Sequence, residues 1–221
     1  MSTRLAVTQA AEPARDCPLC TRLAAFRRTN RKQEPEWFNA PVPSFGPAGA
    51  RLLIVGLAPG LRGANRTGRP FAGDFAGELL YGTLIEFGFA RGDYRARPDD
   101  GVTMIDARIS NAVRCVPPEN KPTPREIATC NRFLSSTIGE MQQLEVIVAL
   151  GRVAHDAVML ALGRKRTQFP FEHGAVHRLG ERPVLFDSYH CSRYNTNTGV
   201  LTPAMFRAVF RKARTYLERL A

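Results

Sequence analysis

The stretch "RLLIVGLAPGLRGANRTGRPFAGD", residues 51–74, sets an apolar run against a tail of glycine, proline, arginine and a closing aspartate. An unbroken apolar run bounded by turn-forming residues marks a strand buried on both faces, the kind found in parallel sheets. Two similar runs follow, "EVIVALG" at 145–151 and "RPVLFDSYH" at 182–190, and "VTMIDARISNAVRC" at 102–115 is also strand-like. Helical spacing separates them. In "AGELLYGTLIEFGFA" (76–90) Leu79, Leu80, Leu84, Ile85 and Phe87 recur at helical intervals. "TPREIATCNRFLSSTIGEM" (123–141) opens with Thr123 as cap and Glu126 completing a capping box. "RVAHDAVMLALG" (152–163) and "PAMFRAVFRKARTYLERL" (203–220) read as further helices, and "TRLAAFRRTNRK" (21–32) as a short basic one. This alternation predicts an α/β fold with a mostly parallel sheet covered on both sides. A flexible tail is expected over residues 1–16, then a single domain over 17–221.

Charge narrows the partners. Thirty-one Lys and Arg against twenty Asp and Glu give a formal +11, and the isoelectric point is near 10.1. Such an excess favours a polyanion, nucleic acid before membrane. No apolar stretch approaches the ~18 residues of a membrane span, and "MSTRLAVTQAAEPARD" lacks the apolar core of a secretory signal. A cytoplasmic, monomeric protein is expected.

Ligands of parallel sheets bind beyond the carboxyl ends of the strands. "GLAPG", "SNAVRC" and "HCSRYNTNTG" each follow a strand, so three distinctive segments converge on one rim. A nucleotide loop is disfavoured there. Neither GxxxxGK[ST] nor GxGxxG is present, and Pro59 lacks the N–H a phosphate nest would use. Cys17 and Cys20 form C-x2-C, Cys115 and Cys130 form C-x14-C, and Cys191 stands apart. Four such cysteines in a cytoplasmic protein point to metal ligation, either structural zinc or an iron–sulfur cluster.

Together, "GLAPGLRGANRTGRPFAGD", "SNAVRCVPPENKPTP", "HCSRYNTNTG" and the four cysteines resemble the uracil-DNA glycosylase superfamily, in particular its iron–sulfur branch, family 5 or type B. Family 4 enzymes are similar too, but carry glutamate where this chain has Leu57. The resemblance implies a three-layer α/β/α sandwich on a central, mostly parallel four-stranded sheet. It implies a [4Fe–4S] cluster on Cys17, Cys20, Cys115 and Cys130, and hydrolytic release of uracil from single- or double-stranded DNA. It also implies roles. Asp74 orients or deprotonates the attacking water, and His190 donates to the base carbonyl. Gly56, Ala58, Phe71, Asn111 and Asn120 surround the base, and Arg193, Tyr194 and Asn195 lie on the loop that enters DNA.

Each assignment has a plainer competitor. Phe71 is also an ordinary core aromatic, Asp74 a helix N-cap, and Asn111 or Asn120 a turn residue. His155, His173 and His177 are expected to be structural or solvated. In the family, proline commonly follows the motif histidine and an apolar residue precedes the asparagine; "HCSRYNTNTG" departs from this, and Cys191 and Arg193 suggest a more reactive and more basic loop. Two other activities stay open: an inactive iron–sulfur DNA-binding protein, or a member that bonds covalently to the abasic sugar.

Overall fold

The computed structural model describes residues 12–220. The expected tail thus falls outside the described residues as far as residue 11. From Glu12 onward the chain is tied down, with the Glu12 carboxylate accepting from Arg114 Nη1 at 2.9 Å.

In chain order the elements are α1 (Thr21–Gln33), β1 (Leu52–Gly56), α2 (Ala64–Thr67), α3 (Phe75–Glu86), β2 (Ala90–Arg91), β3 (Thr103–Met104), β4 (Ala107–Asn111), α4 (Pro124–Glu140), β5 (Val146–Leu150), α5 (Arg152–Ala161), β6 (Val176–Arg178), β7 (Val184–Ser188), α6 (Arg193–Asn197) and α7 (Pro203–Glu218). The main sheet runs β4-β1-β5-β7-β6. Its first four strands are parallel, and every residue in them is buried. That explains why they read as continuous apolar runs.

Alternate strand residues face two helical layers. Leu52, Ile54, Val148 and Phe186 pack with α3 and α7, whereas Leu53, Val55, Ile147 and Leu185 pack with α4 and α5. The three-layer sandwich is therefore present. Thr123 and Glu126 form the expected capping box. Glu126 also takes a bidentate bond from Arg22, at 2.8 and 2.7 Å, which joins α1 to α4.

Three details differ from the sequence reading. The sheet has five strands rather than four, because β6 adds antiparallel to β7. Its three residues, Val-His-Arg, are too short and polar to register as an apolar run. "VTMIDARISN" divides at Ile105–Asp106, and β3 leaves to form a two-stranded ribbon with β2. "HCSRYNTNTG" contains a helical turn, α6, whose cap Ser192 accepts from Asn195 N–H. Two histidines are structural, as expected. His155 Nδ1 and His177 Nε2 each lie 2.9 Å from a carboxylate oxygen of fully buried Asp187, docking α5 and β6 onto β7.

Candidate active site

β1 and β4 pair in parallel with Gly56 opposite Asn111. Both strands end there, so the segments that follow meet at the carboxyl rim as the sequence implied. Between them lies a cavity of ≈ 380 Å³ lined by Leu57, Ala58, Phe71, Asp74, Asn111 and His190, among others. Asn120 and Arg193 complete its edge.

Asn111 closes the strand and is 3% exposed. Its Oδ1 is buried without a hydrogen-bond partner. A buried amide oxygen without a partner is costly, and the residue that carries it lines the cavity. Asn120 behaves differently: it is exposed at the rim, in a left-handed turn with φ 56°. Both asparagines reach the cavity, one from its floor and one from its mouth.

Phe71 is buried at 6% exposure and stacks on His190, with centroids 6.0 Å apart and planes 25° from parallel. Its backbone is left-handed, φ 63°, uncommon for a bulky residue and typical of strain held at functional sites. Gly56 makes room for this ring. A Cβ at residue 56 would fall 2.6 Å from Phe71 Cζ and 2.4 Å from Asn111 Oδ1.

Asp74 stands at the N-cap position of α3, yet its side chain makes no capping bond. The carboxylate turns instead toward the first motif, where Ala64 N–H donates to Oδ2 at 3.1 Å and the Gly60 amide also bonds to it. A Cβ at Gly60 or at Gly63 would lie 1.9 Å from Asp74 Oδ1. The glycines of "GLRG" therefore give clearance to a carboxylate. Burial raises the Asp74 pKa above its usual value, opposed by the two backbone amides and by Arg66. Enclosure likewise pushes His190 down to about 4, so its imidazole is neutral at physiological pH.

At the mouth, Arg193 lies over the Phe75 ring at 5.0 Å, and Tyr194 projects with 74% exposure. Asn195 points inward: its Nδ2 donates to the His190 carbonyl at 2.8 Å and braces the loop. Cys191 corrects the expectation of a reactive loop. It is fully buried, donates weakly to the Ala76 carbonyl at 3.7 Å, and burial pushes its thiol up to about 12.

Cys17, Cys20, Cys115 and Cys130 surround one small void floored by Leu23 and Phe133. Arg27 Nη1 donates to Cys115 Sγ and the Arg114 backbone N–H to Cys130 Sγ, each at 3.4 Å. Ala58 packs against this group and also lines the cavity, so the two sites share a wall. A tetrahedral zinc site, with Zn–S about 2.3 Å, gathers its sulfurs to about 3.8 Å from one another. Among the described residues, His155, His177 and Asp187 bring three ligand atoms within 4.8 Å of one another, and no three of the cysteine sulfurs are gathered that closely. The sequence reading did not single out Leu57, Phe75, Ala76 and Ser192 as lining the cavity. Their positions beside Ala58, Asp74 and Cys191 were the available signal.

Fold and site together define an α/β protein whose cavity, at the carboxyl rim of a parallel sheet, combines an aromatic ring, a buried amide and a carboxylate. A model of the uracil DNA glycosylase superfamily matches residues 43–214. The chain is 44% identical over 204 residues to the type-5 uracil-DNA glycosylase of Thermus thermophilus, covering 90% of this chain and 92% of that one. With the type-5 enzyme of Pyrobaculum aerophilum it shares 38% over 203 residues, 90% and 88% of the two chains. The type-4 uracil-DNA glycosylase of the same organism is 35% identical over 153 residues, 67% of this chain and 70% of that one. The chain belongs to the uracil-DNA glycosylase superfamily, on its type-5 branch.

Proposed function

We propose that this protein hydrolyses the N-glycosidic bond of deoxyuridine in DNA, releasing uracil and leaving an abasic site. The observation that carries the reading is the unpaired Asn111 Oδ1 in a cavity that also presents an aromatic face and a carboxylate. A base in a duplex must leave the stack to enter such a pocket. Uracil then lies against Phe71, and its N3–H donates to Asn111 Oδ1 while the amide Nδ2 donates to O4. Water adds to C1′ as the C1′–N1 bond breaks. The bonding pair departs with the base, and Asp74 takes the water's proton. Negative charge growing on the uracil ring meets the neutral His190 N–H, a donor fixed before the reaction begins. The negative Asp74 faces the cationic sugar. Arg193 is already placed over Phe75, so Tyr194 is the side chain free to fill the gap in the stack.

The four cysteines would hold a [4Fe–4S] cluster. The four cysteines surround one small void, and donors from Arg27 and Arg114 already meet two of the sulfurs. When bound, the cluster would cross-link the start of α1 to the Cys115 loop and to α4. The experiment is direct: incubate the purified protein with an oligonucleotide carrying one deoxyuridine and quantify free uracil and alkali-labile strand. Release of uracil with no denaturation-resistant adduct is expected. Tight DNA binding without base release would favour the inactive alternative, and a stable adduct the covalent one.

A further inference from the structure

Ala64, whose N–H holds Asp74, opens α2, a single turn too short to be stable alone. What fixes it lies outside the first motif. Asn65 Nδ2 donates to Asn39 Oδ1 at 2.9 Å, and both side chains are buried. Beside this pair, Asn39 N–H donates to the Asn65 carbonyl and Phe38 N–H to the Arg66 carbonyl, each at 3.0 Å.

The far side of Asn39 grips α1, the helix that Cys20 caps. Its Nδ2 donates to the carbonyl of Glu34, the C-cap of α1, at 2.7 Å. Arg31 Nε, from the last turn of α1, donates to the Asn39 carbonyl at 2.9 Å. Asn39 itself is left-handed, φ 45°, a conformation asparagine tolerates better than most residues. At the other end of α1, Cys20 is the N-cap, and Arg27 binds both the Cys17 carbonyl and Cys115 Sγ. A continuous hydrogen-bonded path thus runs from the cysteine site along α1, through two buried amides, to the residue beside Asp74's donor.

We propose that Asn39 and Asn65 are positioning residues for base excision: their paired amides transmit the placement of α1, and with it the four-cysteine site, to the loop that seats Asp74. The proposal rests on the reading of Asp74 given above. It assigns the cysteine site a mechanical part in catalysis.

Asn39→Gly removes the amide but keeps the left-handed backbone, and Asn65→Ala removes its partner. For each, single-turnover uracil release is measured together with iron content, affinity for undamaged duplex, and hydrogen exchange of the amides at 60–68. Each variant is expected to retain parental iron and duplex affinity, to excise ~10-fold or more slowly as the carboxylate loses its place, and to exchange faster at 60–68. The double variant should be no slower than the slower single, since the contact that Asn65→Ala breaks is among those that Asn39→Gly already removes. Removing iron from the parental protein should also accelerate exchange at 60–68.

Parental rates with parental exchange in either single variant overturn the proposal, as does multiplication of the two losses. Unchanged exchange at 60–68 after iron removal overturns the link to the cysteine site. If Asn39→Gly fails to fold, Asn65→Ala carries the same readings. Exchange is read whether or not the protein excises uracil, so failure of the functional reading is distinguishable from failure of the clamp.

Discussion

Replacing Asp74 by asparagine separates catalysis from folding, because the structure predicts that the two move in opposite directions. The side chain is set by the backbone amides of Gly60 and Ala64, and asparagine of the same shape still offers them an oxygen. What disappears is the proton acceptor and the negative charge facing the sugar. General-base catalysis contributes ~10²–10⁴-fold, which corresponds to about 3–5 kcal/mol of barrier at about 1.4 kcal/mol per decade. Single-turnover excision should fall by that factor, with affinity for the DNA little changed.

Stability should respond with the other sign. Burial raises the pKa of Asp74 above its ordinary value of 3.8, so the folded protein binds this proton more tightly than the unfolded chain does. The ionised carboxylate therefore costs the fold free energy. That cost is absent below pH 3.8, grows as pH rises through the folded-state pKa, and is complete above it. Asp74→Asn should accordingly melt at or above the parental temperature at pH 7, and the difference should vanish in acid. The acid limb of the parental rate profile, one decade per pH unit below the Asp74 pKa, should be missing in the variant. A variant that excises at the parental rate per folded molecule refutes the base assignment. A variant that is markedly less stable at pH 7 shows that the amide bonds outweigh burial, and the electrostatic argument then fails.

Asn111→Ala should lower uracil excision by a few kcal/mol of barrier, as expected when a site built for one hydrogen-bonding edge loses its partner, and Asn111→Asp should shift the preference between uracil and cytosine. Parental excision by Asn111→Ala combined with loss in Asn120→Ala would transfer base reading to the rim asparagine. Gly63→Ala places a methyl group 1.9 Å from Asp74 Oδ1, so excision should drop at least ~10²-fold, and an unaffected rate would show that the carboxylate seat is not used. Anaerobically purified protein should be brown and contain iron, with iron content unchanged in Cys191→Ser. Colourless protein with one zinc would overturn the cluster assignment. Binding to undamaged duplex should weaken steeply with salt as counterions are released, and Arg193→Ala should reduce that slope; equal slopes would remove Arg193 from the phosphate-tracking surface.

The sequence displays the parallel core plainly because Leu52–Gly56, Val146–Leu150 and Val184–Ser188 are buried on both faces, and burial on both faces leaves an uninterrupted apolar run. β6 was illegible for the converse reason: Val176 and Arg178 are exposed, and the strand exists through pairing with β7. The convergence of three segments on one rim was likewise readable, since it follows from strand direction alone. Their internal geometry was not. Asp74 occupies the N-cap position that its sequence context suggests, and only tertiary clearance over Gly60 and Gly63 shows its carboxylate turned toward the motif instead. Asn39 carried no signal at all, because a left-handed asparagine after a helix looks like any turn until its amide is seen buried against Asn65.

The site's electrostatics explain why it is built from costly parts. Cleavage separates charge, with a cation forming on the sugar and an anion on the base, so useful groups must favour that separation and not the neutral bound state. A buried carboxylate whose pKa is raised, and an imidazole whose pKa is depressed to about 4, are both held in surroundings that solvate charge poorly. In the proposed reaction each is therefore stabilised chiefly when the opposite or complementary charge develops beside it. The apolar wall of Leu57, Phe71 and Ala76 supplies that low-dielectric setting. The left-handed Phe71 and the unpaired Asn111 oxygen are further local losses, tolerated because β1 and β4 are fully buried and fix the rim on which they sit. Relaxing any one of these strained elements should yield a firmer fold and a slower enzyme.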